Sequence, residues 1–157
     1  MKKGFFYQTA LGTFYIAEEY AAITDMKFVT ATIENEDEIV ETLLIREAFM
    51  QLKEYLNGLR QLFTLPLRPQ GTVFQNEVWQ ILKTIPYGET RSYGQIATAI
   101  CNPHASQAVA MANNKNPILF YIPSHRLIAA NGSLNGYTGG AAMKKYLLEL
   151  EQLHKNK

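Results

Sequence analysis

Cysteine is nearly absent from this sequence: among 157 residues there is one, Cys101. That excludes an intramolecular disulfide framework and any cysteine-rich zinc module, and it fits a reducing compartment. Aspartate is missing altogether from residues 67–157. No apolar run approaches the roughly 18 residues that a membrane-spanning helix requires. The basic start Met1-Lys2-Lys3 leads into Gly4-Phe5-Phe6-Tyr7, but Gln8 and Thr9 follow too soon for a signal-peptide core. The expectation is a soluble cytoplasmic protein with no membrane partner. Net charge is scarce too: 15 Lys+Arg against 14 Asp+Glu leaves +1, which taken alone argues against a polyanionic partner. Apolar side chains, in contrast, make up 47% of the chain, as in a globular protein. At roughly 100–200 residues per domain, the length allows one ordinary domain or two small ones.

The neutrality dissolves when the chain is split at Pro66. Residues 1–66 hold 6 Lys+Arg and 10 Asp+Glu, a net of −4, and residues 67–157 hold 9 and 4, a net of +5. Opposite charge in two halves suggests that the basic half faces a polyanion. The split coincides with Leu65-Pro66-Leu67-Arg68-Pro69-Gln70-Gly71-Thr72. Proline restricts itself and its predecessor to extended geometry, so residues 67–72 read as a stiff linker between domains 1–66 and 73–157.

In the first half, Phe5-Phe6-Tyr7-Gln8-Thr9 and Thr13-Phe14-Tyr15-Ile16-Ala17 flank Gly12 and read as a β-hairpin. A third strand near residues 22–30 and a helix over 42–59 follow, the helix from apolar residues at Leu44, Ala48, Leu52, Tyr55, Leu56 and Leu59. In the second half Thr72 caps a helix over 74–85, and Ser92 starts another over 93–100. A third over 104–113 ends at Asn116-Pro117. Residues 118–122 read as a short apolar strand and 144–154 as a final helix. The fold class expected is α+β: a small N-terminal antiparallel sheet with a helix, then a mainly helical C-terminal domain.

Two short helices joined by a tight turn fit either a helix-turn-helix or an ordinary helical hairpin. The second helix carries Ala105, Ser106, Ala108, Ala110 and Ala112. Side chains that end at Cβ let a backbone come close to another surface, a neighbouring helix or a DNA groove. Sequence reading in the major groove employs Arg, Lys, Asn or Gln, and only Gln107 and Asn113 qualify. Such a helix suits sequence-tolerant minor-groove binding.

Pro123-Ser124-His125-Arg126 follows the apolar run. Adjacent residues on an extended chain point apart, so Ser124 and His125 meet only through a bent backbone or a bridging water. A nucleophile–His pair also wants an orienting acid, and Glu77, Glu89, Glu149 and Glu151 are the carboxylates of this half. A turn with a solvated His and a structural Arg is the plainer reading. Cys101, His104, His125 and His154 lack any recognisable ligand spacing, so no metal site is expected.

Taken together, several motifs in order carry a resemblance. They are Phe74-Gln75-Asn76-Glu77-Val78-Trp79, Ile85-Pro86-Tyr87-Gly88-Glu89-Thr90, Ser92-Tyr93-Gly94-Gln95-Ile96-Ala97, the stretch from Asn116-Pro117 to Leu127-Ile128, Gly136-Tyr137-Thr138-Gly139-Gly140, and Leu147-Leu148-Glu149-Leu150-Glu151. Over residues 72–152 the chain resembles the O6-alkylguanine-DNA alkyltransferases, or methylated-DNA–protein-cysteine methyltransferases. The resemblance implies direct-reversal DNA repair without a cofactor. The partner would be double-stranded DNA carrying O6-alkylguanine, bound by a monomer through the minor groove. The damaged base is flipped out because chemistry on a stacked base is not possible, and its alkyl group passes irreversibly to a cysteine.

By the same resemblance, Tyr93 assists flipping and donates to guanine N3. Tyr137 packs along the base, the Thr138 backbone N–H faces its O6, and Gly139 and Asn113 complete the pocket. Asn116 braces the active turn, and Glu151, His125 and a water form the relay that deprotonates the acceptor. Ala105, Ser106, Gln107, Ala108 and Arg126 would meet DNA. Three departures stand out. Ser124 occupies the acceptor cysteine's place, which implies binding without transfer, or else a non-enzymatic lesion-binding protein that recruits other repair factors. Gln107 stands where an Arg often fills the gap left by the flipped base. Asn114 stands where Gly is common, asking a non-glycine residue to turn the helix end. Cys101, away from the relay, is expected to pack as a small apolar residue.

Overall fold

The computed structural model describes residues 1–30, 36–134 and 136–156. The chain divides into two compact units, residues 1–70 with 117–119, and residues 71–116 with 120–157.

The first unit is a four-stranded sheet with one long helix. Strands β1 (Lys3–Thr9), β2 (Gly12–Glu19) and β3 (Ala22–Phe28) form an antiparallel meander, and the two-residue β4 (Glu38–Ile39) adds in parallel to β1, giving the order β3-β2-β1-β4. The β1–β2 pairing runs in register from Lys3–Glu18 to Thr9–Gly12, as the hairpin reading expects. Four consecutive residues of β2, Phe14 to Ala17, are fully buried. That is why this central strand reads as an aromatic and β-branched run rather than an alternating one. Helix α1 (Leu43–Leu56) lays Ile45, Ala48, Leu52 and Tyr55 into the core. Its N-cap Thr42 accepts from the Ile45 N–H at 3.1 Å. The apolar spacing extends to Leu59, but the helix stops at Leu56, and Gly58 takes up φ +75 just beyond it.

Two sequence expectations are corrected here. Leu67, placed in the linker by its proline neighbours, forms a parallel bridge with Ile23, framed by Ile23 N–H to Pro66 O (2.9 Å) and Arg68 N–H to Ile23 O (2.7 Å). The apolar run 118–122 is not a strand. Ile118 bridges to Met26, but Phe120 adopts φ +71, and the chain turns there. Burial, rather than extended pairing, accounts for its apolarity: Ile118 to Ile122 are all buried.

The second unit comprises α2 (Val73–Leu82), the parallel pair β5 (Arg91–Ser92) and β6 (Leu127–Ile128), α3 (Tyr93–Ala99), α4 (Ser106–Asn114) and α5 (Ala141–His154). Thr72 and Ser92 each form a complete capping box with the Gln three residues on. Trp79, 1% exposed, donates its indole N–H to Ala112 O at 2.9 Å and so pins α2 to α4. Helices α3 and α4 are joined by residues 100–105, where Cys101 adopts φ +61. Cys101 is exposed, not packed as expected.

Candidate functional site

The site forms where three elements of the second unit meet: the 3-10 turn Ser124–Arg126, helix α5 and the loop after α2. Asn116 closes the end of α4 and donates from Nδ2 to Ile122 O at 2.7 Å. The Ser124 N–H reaches Ile122 O at 2.8 Å, and the Arg126 N–H reaches Pro123 O at 3.0 Å. This bent backbone packs Ser124, His125 and Arg126 inward together, with His125 fully buried and Ser124 2% exposed. The solvated-His alternative is thereby overturned.

On α5, Lys144, Leu147 and Glu151 lie at helical spacing on the buried face. Glu151 meets His125 Nε2 at 2.6 Å. It also accepts from Arg126 Nε at 2.8 Å, from Arg126 Nη2 at 3.0 Å and from the Gly88 backbone N–H at 2.9 Å. Gly88 sits at φ +81, and a Cβ there would come within 2.8 Å of Lys155 Cβ, so this donor position belongs to glycine. Arg126 Nη1 is bound to Ile85 O at 2.8 Å, and its guanidinium lies 5.6 Å from the Tyr87 ring. Lys144, fully buried, donates to Leu127 O.

Burial raises the Glu151 carboxyl's affinity for a proton, but the hydrogen bonds from His125 and Arg126 and the charge of the guanidinium outweigh it and hold the group at about 2. Burial, with the charges of Arg126 and Lys144, lowers His125 against the opposing pull of Glu151. We therefore assign a neutral imidazole whose Nε2–H donates to a carboxylate. Burial brings the Lys144 ammonium down to about 8, and raises the Tyr137 and Tyr93 hydroxyls above their ordinary range.

Other residues expected in the site sort by exposure. Asn113 is buried on α4 and donates from Nδ2 to Ser124 O at 3.4 Å. Tyr137 is 6% exposed, with its ring 6.5 Å from the His125 imidazole. Thr138 is exposed and Gly139 half-buried. Tyr93 opens α3, and its hydroxyl lies 3.6 Å from where a Cβ on Gly136 would sit, as does Asn114 Oδ1. On α4, Gln107, Ala108, Met111 and Asn114 are exposed, Ser106 is half-buried, and Ala105 is buried as the N-cap.

Three expectations change. Arg126, expected at DNA, is 6% exposed and bound to Glu151 and Ile85. Ala105 does not share the exposed face of Gln107 and Ala108. Asn114 does not turn the helix end in a left-handed conformation: it is the last residue of α4, and Lys115 caps it at φ −97. Sequence reasoning missed the roles of Gly88 and Lys144. A lysine in register with Leu147 and Glu151 on one helix face was the available signal for the second. Among the described residues no group of three or more His, Cys, Asp or Glu could hold a metal ion. No helix among them is long and apolar enough to cross a membrane.

Comparison with known proteins matches the two units separately. Residues 3–69 match the 6-O-methylguanine DNA methyltransferase ribonuclease-like domain, and residues 73–153 match the DNA binding domain of the same family. The methylated-DNA–protein-cysteine methyltransferase of Methanosarcina acetivorans is 51% identical over 119 residues, covering 76% of this chain and 72% of that protein. The constitutive enzyme of Bacillus subtilis is 43% identical over 154 residues, 93% of each chain. The crystal structure of the Mycobacterium tuberculosis O6-methylguanine methyltransferase superposes with a TM-score of 0.90 at 38% identity, covering 98% of this chain and 94% of that one. The same Mycobacterium protein in complex with DNA also gives 0.90, at 38% identity, covering 97% and 94%. The chain belongs to the 6-O-methylguanine DNA methyltransferase family.

Proposed function

We propose that this protein serves direct-reversal DNA repair by binding O6-alkylguanine in double-stranded DNA through the minor groove and flipping the damaged base. Helix α4 presents Gln107 and Ala108 to the duplex, with Gln107 filling the gap in the stack. Tyr93 aids flipping, and Tyr137, Thr138, Gly139 and Asn113 receive the base. Residues 1–66 form a support domain and residues 73–157 the DNA-binding domain, acting as a monomer without a cofactor. The carrying observation is the buried turn that sets residue 124 beside His125 and its Glu151–Arg126 clamp.

With cysteine at position 124, the thiolate sulfur attacks the alkyl carbon, and the carbon–O6 bond breaks with its electron pair left on the base. The base takes up a proton from water to leave as guanine. A proton from the thiol leaves through water to His125, whose charge Glu151 then stabilises. As written, Ser124 binds without transfer. Displacement at an alkyl carbon wants a populated, soft anion. A thiol at about 8.5 supplies one, whereas an alkanol resembles water, near 15.7. At about 1.36 kcal/mol per unit, the added cost of deprotonation is on the order of 7–10 kcal/mol. A His–Glu relay cannot offset that without an oxyanion to stabilise.

Mass spectrometry after incubation with O6-methylguanine DNA tests this. An unchanged mass is expected for the chain as written, and a stoichiometric gain of one CH2 overturns it. The serine itself supports a second reading: a lesion-binding protein that recruits other repair factors without chemistry. Ser124→Cys separates the two, since stoichiometric self-labelling by O6-benzylguanine supports the alkyltransferase scaffold.

A further inference from the structure

Among the described residues of α4, Met111 is the one large apolar side chain left in water, 68% exposed. The other exposed residues of that helix are Gln107, Ala108 and Asn114. Gln107, Met111 and Asn114 are spaced i, i+4 and i+7, so they form one stripe. The stripe is held from behind: Val109 and Ala112 are buried, and Ala112 O accepts from the Trp79 indole at 2.9 Å. Its C-terminal end lies at the base pocket, where Asn114 Oδ1 and the Tyr93 hydroxyl are both 3.6 Å from the place of a Cβ on Gly136. Its N-terminal end is Gln107, the residue assigned to the gap in the stack. Met111 therefore stands between the gap and the pocket mouth. Both ends of the stripe carry amides that donate and accept. A thioether donates nothing and accepts weakly, and its flexible chain moulds to an irregular apolar surface.

Resting on the minor-groove, base-flipping function above, we propose that Met111 reads the base pair beside the flipped nucleotide and favours one without a 2-amino group. Four residues advance about 6 Å along a helix, and base pairs are stacked about 3.4 Å apart. With Gln107 in the gap, Met111 comes to lie over a neighbouring pair. In the minor groove every pair offers acceptors, and guanine alone adds a donor, its N2 amine. The acceptors are common to all pairs and do not discriminate. Methionine laid on a G·C pair strips water from the amine and gives it no partner, which leaves a hydrogen bond unmade. The amine also raises the groove floor where the side chain must lie. Over A·T, or over hypoxanthine paired with cytosine, neither penalty arises. Methionine is among the apolar side chains that minor-groove proteins press against base steps. The preference concerns the neighbour and not the lesion, so it gives an otherwise sequence-tolerant helix a dependence on context.

The test is fluorescence anisotropy on duplexes with one O6-methylguanine, in which the pair on its 5′ side or on its 3′ side is varied. That pair is G·C, hypoxanthine·cytosine, A·T or 2,6-diaminopurine·thymine, so the 2-amino group is removed from one purine and added to the other. The proteins are the unaltered chain, Met111→Ala and Met111→Gln. Duplex strength changes with the pair, but alike for all three proteins, so the contribution of Met111 is the difference between them. On one side of the lesion, the preference for amine-free pairs should be at least about fivefold greater in the unaltered chain than in Met111→Ala. Met111→Gln, whose amide oxygen accepts from the amine, should cancel or reverse that preference. A smaller difference from Met111→Ala on both sides overturns the proposal, as does a Met111→Gln protein that keeps the full preference. If O6-methylguanine DNA binds no better than undamaged DNA, the lesion-binding function itself fails, which is a distinguishable result.

Discussion

Arg126 holds Glu151 by both carboxylate oxygens, Nε to Oε1 at 2.8 Å and Nη2 to Oε2 at 3.0 Å, with neither residue more than 6% exposed. The pair lets a carboxylate stand next to a neutral imidazole in the dry interior. Without the guanidinium, Glu151 would face burial without the one cation that grips both of its oxygens, although His125 and the Gly88 N–H still reach it.

Arg126→Met should therefore destabilise the fold by about 3–5 kcal/mol, since it leaves one buried charge of a pair uncompensated. Arg126→Lys should recover only part, because an ammonium cannot span both oxygens while reaching Ile85 O. Urea unfolding of the three proteins checks this. A loss below about 1 kcal/mol for the Met variant, the size of an exposed pair, would show that the clamp is not what holds the carboxylate.

Acid should loosen the protein through Glu151. Its folded value, about 2, lies below its ordinary 4.5, so the unfolded chain binds the extra proton between them. The stabilisation is complete above pH 4.5 and is lost as pH falls from there toward 2. Its size is about 3 kcal/mol at roughly 1.36 kcal/mol per unit. Unfolding free energies measured across this window should slope upward with pH, and Glu151→Gln should flatten that component. An equal slope in the variant would place the effect on another carboxylate.

What the sequence disclosed and what it concealed divide along physical lines. Capping at Thr72 and Ser92 was legible because a capping box has a fixed three-residue spacing. The β1–β2 hairpin was legible because aromatic and β-branched runs flank Gly12. Glu151 and His125 came together through the family resemblance, not from spacing, since 25 intervening residues leave their approach unspecified. Arg126 was placed at DNA with the residues that the resemblance sets there. It turns inward because the 3-10 turn folds 124–126 toward α5, which no local pattern signals. Phe120 at φ +71 broke an apolar run that otherwise reads as a strand.

Gln107 is exposed on α4 with Ala108 and Met111, so it can reach a duplex without rearrangement. Gln107→Ala should weaken binding to O6-methylguanine duplex measurably, by about 1 kcal/mol, the size of one uncharged hydrogen-bonding contact. Gln107→Arg should bind more tightly and steepen the salt dependence by about one unit of log K per log salt if the new charge meets a phosphate. Titrations at three salt concentrations read both effects. Unchanged affinity in both variants would remove this helix face from the interface.

In the proposed relay His125 is the final link, because the charge of Glu151 favours protonation of its neutral imidazole. In the Ser124→Cys protein, alkyl transfer should proceed stoichiometrically. Adding His125→Gln or Glu151→Gln should slow it on the order of a hundredfold, the low end for loss of a positioned proton acceptor. The pH profile distinguishes chemistry from mere loss of fold. With the relay intact, the single-turnover rate should hold its plateau well below pH 8.5, because the relay favours the thiolate. With His125→Gln, the rate should climb with pH toward the ordinary thiol range. A folded variant with an unshifted profile would confine His125 to packing, and the buried turn would then serve recognition alone.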